Sequence, residues 1–251
     1  MCTVIAREVE ADVLALKIRG HIVSYQCRKS GMHMNGKEME TELETDGELR
    51  ARFIGIVRHR LMTDGDGVTT LVAFHGCPLR CRYCLNPQSL GRSERFKAYT
   101  PEEVYRQVKI DELYFLASGG GVTFGGGEPC LHPGFIREFR RLCGTNWRIN
   151  LETSLHVPFE FVDELLPITD TLYIDIKDMD EEVYRKYTGR DNKLVVENLQ
   201  AIAERKKQDR CVIRLPMIPG YNNESKRESG HALLRTLGFS RFDFFTYQTD
   251  K

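Results

Sequence analysis

The sequence predicts an α/β protein: an open partial (βα)6 barrel carrying a small N-terminal extension. Three observations predict it. From residue 69 onward, short β-branched or apolar runs alternate with polar stretches of helix length, the pattern of repeated βα units around a parallel sheet. Six such runs occur, at 69–74 (TTLVAF), 121–124 (GVTF), 147–152 (WRINLE), 171–176 (TLYIDI), 211–217 (CVIRLPM) and 241–247 (RFDFFTY). About 180 residues remain for them, where a closed eight-stranded barrel usually takes about 250, so the barrel is open and its site lies at the C-terminal strand ends.

Taken in order, residues 1–50 are the N-terminal extension, with a strand-like piece at 21–26 (HIVSYQ) and a charged segment at 36–50 (GKEMETELETDGELR). They read either as a small β or α+β element covering a barrel edge or as a partner-docking module. Residues 51–251 are the core domain. After the first barrel strand, Thr100, Pro101 and Glu103 form a capping box that opens one helix through VYRQVKIDELYFL. Further helices are expected at 132–142, 159–166, 194–206, where apolar residues recur three and four apart, and 224–237.

Composition removes several functional classes. Of the 251 residues, 41% are apolar without glycine, a globular rather than a disordered or collagenous balance. Thirty-six basic residues balance thirty-six acidic ones, so no summed field recruits nucleic acid. No apolar run reaches about 20 residues, and charges interrupt the first twenty, so neither a membrane span nor a signal peptide is expected. With eight cysteines and no secretory signal, reduced thiols or metal ligands are expected rather than disulfides.

The sharpest motif is Cys77, Cys81 and Cys84 (CPLRCRYC), directly after the first barrel strand. Three readings stand side by side. A structural zinc site takes four ligands, and no second cysteine pair follows within the next thirty residues. Three metal-free thiols would pack as small hydrophobes, but Arg80, Arg82 and Pro78 make this a polar turn. A 4Fe–4S cluster on three cysteines leaves one iron open to an exogenous ligand, and the absent fourth ligand then has a purpose. Cys2, Cys27, Cys130, Cys143 and Cys211 are scattered, and packing is the expectation for each.

This spacing, with aromatic Tyr83 before the last cysteine, resembles the radical S-adenosylmethionine superfamily. The glycine-rich stretch 118–129 (SGGGVTFGGGEP), the strand 173–177 (YIDIK) and 214–221 (RLPMIPGY) look like the activating enzymes of glycyl radical enzymes, with pyruvate formate-lyase activating enzyme as their type. The resemblance covers residues 53–251. It implies a radical S-adenosylmethionine fold, one 4Fe–4S cluster on Cys77, Cys81 and Cys84, and S-adenosylmethionine on the open iron.

The resemblance further implies that Tyr83 and Gly126, Gly127 and Glu128 contact the cofactor, the last three at its methionyl amine. Lys177 faces its carboxylate. Asp175 and Lys177 alternate with Ile174 and Ile176, so both carboxylate and ammonium point to the barrel interior, as a salt bridge or a ligand clamp. Asp175 is implied in a small cation site with Glu152 and Thr153, with the Tyr173 carbonyl as a further ligand, where the family has Asp in place of Glu152. Arg214 meets cofactor or substrate, or pairs at the surface. Gln248, where the family carries His nearby, is expected at the adenosine.

The implied activity is reductive cleavage of S-adenosylmethionine to a 5′-deoxyadenosyl radical that takes hydrogen from a glycine Cα of a partner glycyl radical enzyme. Flavodoxin or ferredoxin is the implied electron donor, in an anaerobic cytoplasm, with the chain a monomer. The stretch 178–189 (DMDEEVYRKYTG) favours this over the same chemistry on another peptide or a small metabolite. A non-enzymatic iron–sulfur or zinc protein is the remaining alternative.

Overall fold

Runs of β-branched and apolar residues that bury both faces pair side by side in chain order, and the helices between them carry the chain back for each parallel pairing. The computed structural model describes residues 13–18, 21–26, 43–45, 48–91 and 96–247. The chain divides into two units, residues 1–40 and 41–251. In the first, β1 (Val13–Ile18) and β2 (His21–Gln26) form an antiparallel pair.

The second unit is built on one sheet: β3 (Leu43–Thr45), β4 (Glu48–Leu61), β5 (Val68–Phe74), β6 (Lys97–Tyr99), β7 (Gly121–Gly126), β8 (Arg148–Thr153), β9 (Thr171–Asp175), β10 (Cys211–Met217) and β11 (Phe242–Thr246). The order is β11-β10-β9-β8-β7-β5-β4-β3, with β6 on β4. β5 and β7 to β11 are the six expected strands, all parallel. Among the described residues the two ends of this order do not pair, so the sheet is an open partial barrel of the radical S-adenosylmethionine type.

Among the described residues seven α-helices accompany the sheet: α1 (Pro101–Val108), α2 (Glu112–Ser118), α3 (Pro133–Cys143), α4 (Phe159–Leu165), α5 (Glu181–Thr188), α6 (Lys193–Glu204) and α7 (Glu224–Thr236). The Thr100/Glu103 capping box is formed. The core between the sheet and the first helices is aromatic. Phe53 stacks on Phe74 at 4.6 Å, Phe124 meets Phe139 edge-on at 5.2 Å, and Trp147 stacks on Tyr105 at 5.4 Å.

Three elements differ from the sequence reading. The single helix expected after Thr100 is two, because a 3₁₀ turn at Lys109–Asp111 separates α1 from α2. That turn sends the Asp111 carboxylate into the protein, where it accepts from the Thr70 hydroxyl at 2.9 Å and from the Arg58 guanidinium. β4, which was not anticipated, pairs antiparallel with β5, and register shifts between Phe53 and Gly55 and between Val57 and Arg60 interrupt its alternation. α5 was read only as a motif. Asp180 caps it by accepting from the Val183 N–H, and Gly189 ends it in the left-handed region.

Candidate active site

At the C-terminal end of β5 the chain leaves the sheet through Gly76 (φ +102°) into the cysteine loop. This loop is held by backbone on two sides. The Gly127 and Glu128 N–H groups donate to the Phe74 and Gly76 carbonyls at 2.9 and 2.8 Å, and the Arg80 and Arg82 N–H groups donate to Thr188 and Tyr187 of α5 at 2.9 and 3.1 Å. A Cβ on Gly127 would lie 2.1 Å from the Gly76 carbonyl oxygen, so only glycine lets the β7 end approach the loop this closely.

Cys77, Cys81 and Cys84 are free thiols that line one cavity of about 330 Å³ at the strand ends. Burial pushes the Cys77 thiol up to about 12 and raises Cys81. Bare, the Cys77 and Cys81 thiols stay protonated at neutral pH, and a bound metal centre is what would hold them as thiolates. Among the described residues no set of three or more His, Cys, Asp or Glu side chains is gathered so as to hold a metal ion. Three cysteine thiols lining one cavity are the donor type that an iron–sulfur cluster takes.

The same cavity is lined by Tyr83, Gly126, Gly127, Glu128, Glu152, Thr153, Asp175, Lys177 and Arg214, so the residues singled out in sequence meet in one place. Gln248 lies outside the described residues. Tyr247 beside it lines the cavity, and its hydroxyl accepts from Lys177 Nζ at 3.3 Å. The Tyr83 hydroxyl donates to the Pro219 carbonyl at 3.3 Å, bracing the cysteine loop against the end of β10. Thr63, Ser154, Asp243 and Phe245 also line the cavity and carried no sequence signal, being single polar or apolar residues outside any motif.

Glu128 is buried and its carboxylate is saturated. Oε1 accepts from the Thr153 hydroxyl at 2.6 Å and the Cys130 N–H at 3.2 Å; Oε2 accepts from the Ser154 N–H at 2.9 Å and hydroxyl at 2.7 Å. A carboxylate offers about four acceptor sites, and all are used. The Thr153 hydroxyl is likewise full, accepting from the Leu155 N–H at 2.9 Å and the Cys130 thiol at 3.3 Å.

Along β9 and the two residues that follow it, the isoleucines at 174 and 176 are buried while Asp175 and Lys177 line the cavity. Burial alone would lower the Lys177 ammonium, but Asp175 at 3.5 Å, Tyr247 and Cys81 outweigh it and hold it well above its ordinary value. Arg214 on β10 donates to Glu152 Oε1 at 2.6 Å and to the Thr63 carbonyl at 3.1 Å. Burial raises the Glu152 carboxyl, with Arg214 opposing it. The residues expected to hold a small cation therefore do not fit one: Glu152 faces a guanidinium and the Thr153 hydroxyl faces Glu128.

Among the described residues no helix is long and apolar enough to cross a membrane. The sequence matches the radical SAM superfamily over residues 71–231. It is 31% identical to pyruvate formate-lyase 1-activating enzyme of Escherichia coli over 173 residues, covering 68% of each chain. It is 29% identical to (2S)-3-sulfopropanediol dehydratase activating enzyme of Klebsiella oxytoca, covering 64% of this chain and 69% of that protein. Among solved structures, Streptococcus suis SuiB bound to S-adenosylmethionine shares the fold with a TM-score of 0.56 at 16% identity, over 70% of this chain and 39% of SuiB. With the six parallel strands and the three-cysteine cavity, these likenesses show that the chain belongs to the radical SAM superfamily, where its relatives are the activating enzymes of glycyl radical enzymes.

Proposed function

We propose that the chain reductively cleaves S-adenosylmethionine and uses the resulting 5′-deoxyadenosyl radical to abstract hydrogen from a glycine Cα of a partner glycyl radical enzyme. Membership of the superfamily implies a 4Fe–4S cluster and S-adenosylmethionine. The observation that carries the reading is the convergence of Cys77, Cys81 and Cys84 with the Gly126–Gly127 backbone and Lys177 on one cavity, in a chain whose relatives are named as activating enzymes.

A reduced cluster held by Cys77, Cys81 and Cys84 would supply the one electron that reductive cleavage of S-adenosylmethionine to methionine needs, and hydrogen taken from the glycine would leave 5′-deoxyadenosine and a glycyl radical. The protein's part is placement. Gly126, at φ +85°, turns its carbonyl toward the loop, where it accepts from Asn86 Nδ2 at 3.3 Å and keeps a second lone pair for the methionyl amine. Lys177, charged and buried, is assigned to the methionyl carboxylate. Glu128 positions this strand end through its four donors, so amine recognition is assigned to the Gly126 and Gly127 backbone. Tyr83, Tyr247 and Phe245 close the cavity around the cofactor and exclude water. A flavodoxin or ferredoxin is the assigned electron donor, in a reducing, oxygen-poor cytoplasm, with the chain acting as a monomer.

Anaerobic reconstitution, reduction with dithionite and chromatography test the first half of the proposal. S-adenosylmethionine is expected to yield 5′-deoxyadenosine with the wild type and none with Cys81→Ala. Addition of pyruvate formate-lyase, the enzyme named for one relative, should give an organic radical in the electron paramagnetic resonance spectrum if it is the partner. Absence of 5′-deoxyadenosine from protein with a full cluster, with and without that enzyme, refutes the reading.

A further inference from the structure

Two carboxylates, Glu152 and Asp175, sit on neighbouring strands in the wall of the cavity. Arg214 is the register partner of Asp175 across β9 and β10, so sheet pairing itself delivers its guanidinium to them. Nη1 lies 2.6 Å from Glu152 Oε1 and 3.9 Å from Asp175 Oδ1, and Nε lies 3.8 Å from Asp243 Oδ2. Nη2 donates to the Thr63 carbonyl at 3.1 Å, and the guanidinium carbon stands 4.7 Å from the centre of the Tyr173 ring. A side chain fixed by so many partners is a built element rather than a solvated one; only 11% of it is exposed.

The other side of the pair is equally committed. Lys177 Nζ is 3.5 Å from Asp175 Oδ2. Thr153, whose hydroxyl was the expected neutral ligand, donates its hydrogen bond to Glu128 Oε1 at 2.6 Å. Gly125 makes room for the longer acid: a Cβ there would lie 2.7 Å from Glu152 Oε2. Glu152 and Asp175 thus face the Arg214 guanidinium and the Lys177 ammonium, with Asp243 also beside the guanidinium. The arginine fork donates to a carboxylate and a carbonyl at once.

We propose that Arg214 is a tethered counter-ion, a positioning residue that takes the place of the small cation implied by the family resemblance, so this chain binds no metal cation at Glu152, Thr153 and Asp175. The inference rests on the reading of the cavity as the cofactor site. Its consequence is that S-adenosylmethionine binding is indifferent to the monovalent or divalent cation in the buffer.

The test uses the reconstituted, oxidised holoenzyme in choline chloride. Thallium(I) is titrated and followed by thallium-205 resonance, and the dissociation constant of S-adenosylmethionine is measured by equilibrium dialysis in choline, sodium, potassium, magnesium and calcium chlorides at one ionic strength. No saturable thallium binding is expected, and the constants should agree to within about twofold. Arg214→Met is expected to bind S-adenosylmethionine about tenfold more weakly in choline and to recover when sodium or potassium is supplied, while Arg214→Lys stays cation-independent. One thallium per wild-type chain, displaced by potassium, overturns the proposal, as does a wild-type affinity that changes about tenfold between salts. The wild-type measurements decide the question even if Arg214→Met does not fold. Because both readouts precede turnover, a failure to form 5′-deoxyadenosine leaves their meaning intact.

Discussion

His132 makes the fold sensitive to mild acid. Its ring is buried at the start of α3 and lies 4.3 Å from the Phe74 ring with planes 12° apart. Burial lowers its pKa to about 3 from an ordinary 6.5, with partial relief from the His75 backbone. The unfolded chain therefore takes up a proton near pH 6.5 that the folded chain refuses, and stability falls as pH drops from 6.5 toward 3. At pH 5 the gap is about one and a half pH units, which at about 1.36 kcal/mol per unit amounts to about 2 kcal/mol. His132→Phe keeps a ring on Phe74 and removes the proton site. Urea unfolding followed by the fluorescence of Trp147, the only tryptophan, should show the wild type losing about 2 kcal/mol more than the variant between pH 7.5 and pH 5. Equal losses in the two proteins would refute the assignment of this proton to His132.

Gly127→Ala should place a methyl against the Gly76 carbonyl and force the cysteine loop away, costing about 1–3 kcal/mol and lowering the iron bound per chain after reconstitution; unchanged iron content and stability would contradict the geometry. Glu128→Gln keeps the shape but turns its amide NH2 either toward the Thr153 hydroxyl and Cys130 N–H or toward the Ser154 N–H and hydroxyl, all donors, with an expected loss of about 1–3 kcal/mol by thermal or urea unfolding. At Asp111, burial would raise the carboxyl, but the bonds from Arg58 and Thr70 prevail and hold it below its ordinary 3.8. Its contribution is complete above that value and lost as the pH falls through the lower, folded one, so Asp111→Asn should unfold more readily than wild type at neutral pH and close the difference only in strong acid.

The parallel strands were legible because burial on both faces writes itself as continuous apolar runs, and the cysteine spacing because three cysteines on one loop are a local fact. What was not legible depends on partners distant in sequence. β4 hides its periodicity at two register shifts: from Phe53 to Gly55 it advances two residues while its partner moves one, from Phe74 to Ala73. The helix after Thr100 looks continuous until Arg58 and Thr70 draw Asp111 inward. The role of Arg214 follows from strand register, which places it opposite Asp175 and within reach of Glu152. Glu128 reads as a ligand beside two glycines, yet Thr153 and Ser154, more than twenty residues on, fill its lone pairs. α5 was the exception: its acidic first turn, basic last turn and Gly189 were all in the sequence.

β11 has a ladder partner on one side only among the described residues, and it is among the least buried strands of the sheet. Its backbone amides should exchange with solvent deuterium through a sub-global opening well below the free energy that unfolds β7 and β8. Since Asp243 and Phe245 belong to this strand and also to the cavity wall, detaching it would expose the reaction chamber while the cysteine loop, fastened to α5 and β7, kept its shape. The cluster and the outer wall would then sit in separate cooperative units. Exchange rates measured with and without S-adenosylmethionine would reveal how strongly the cofactor couples them.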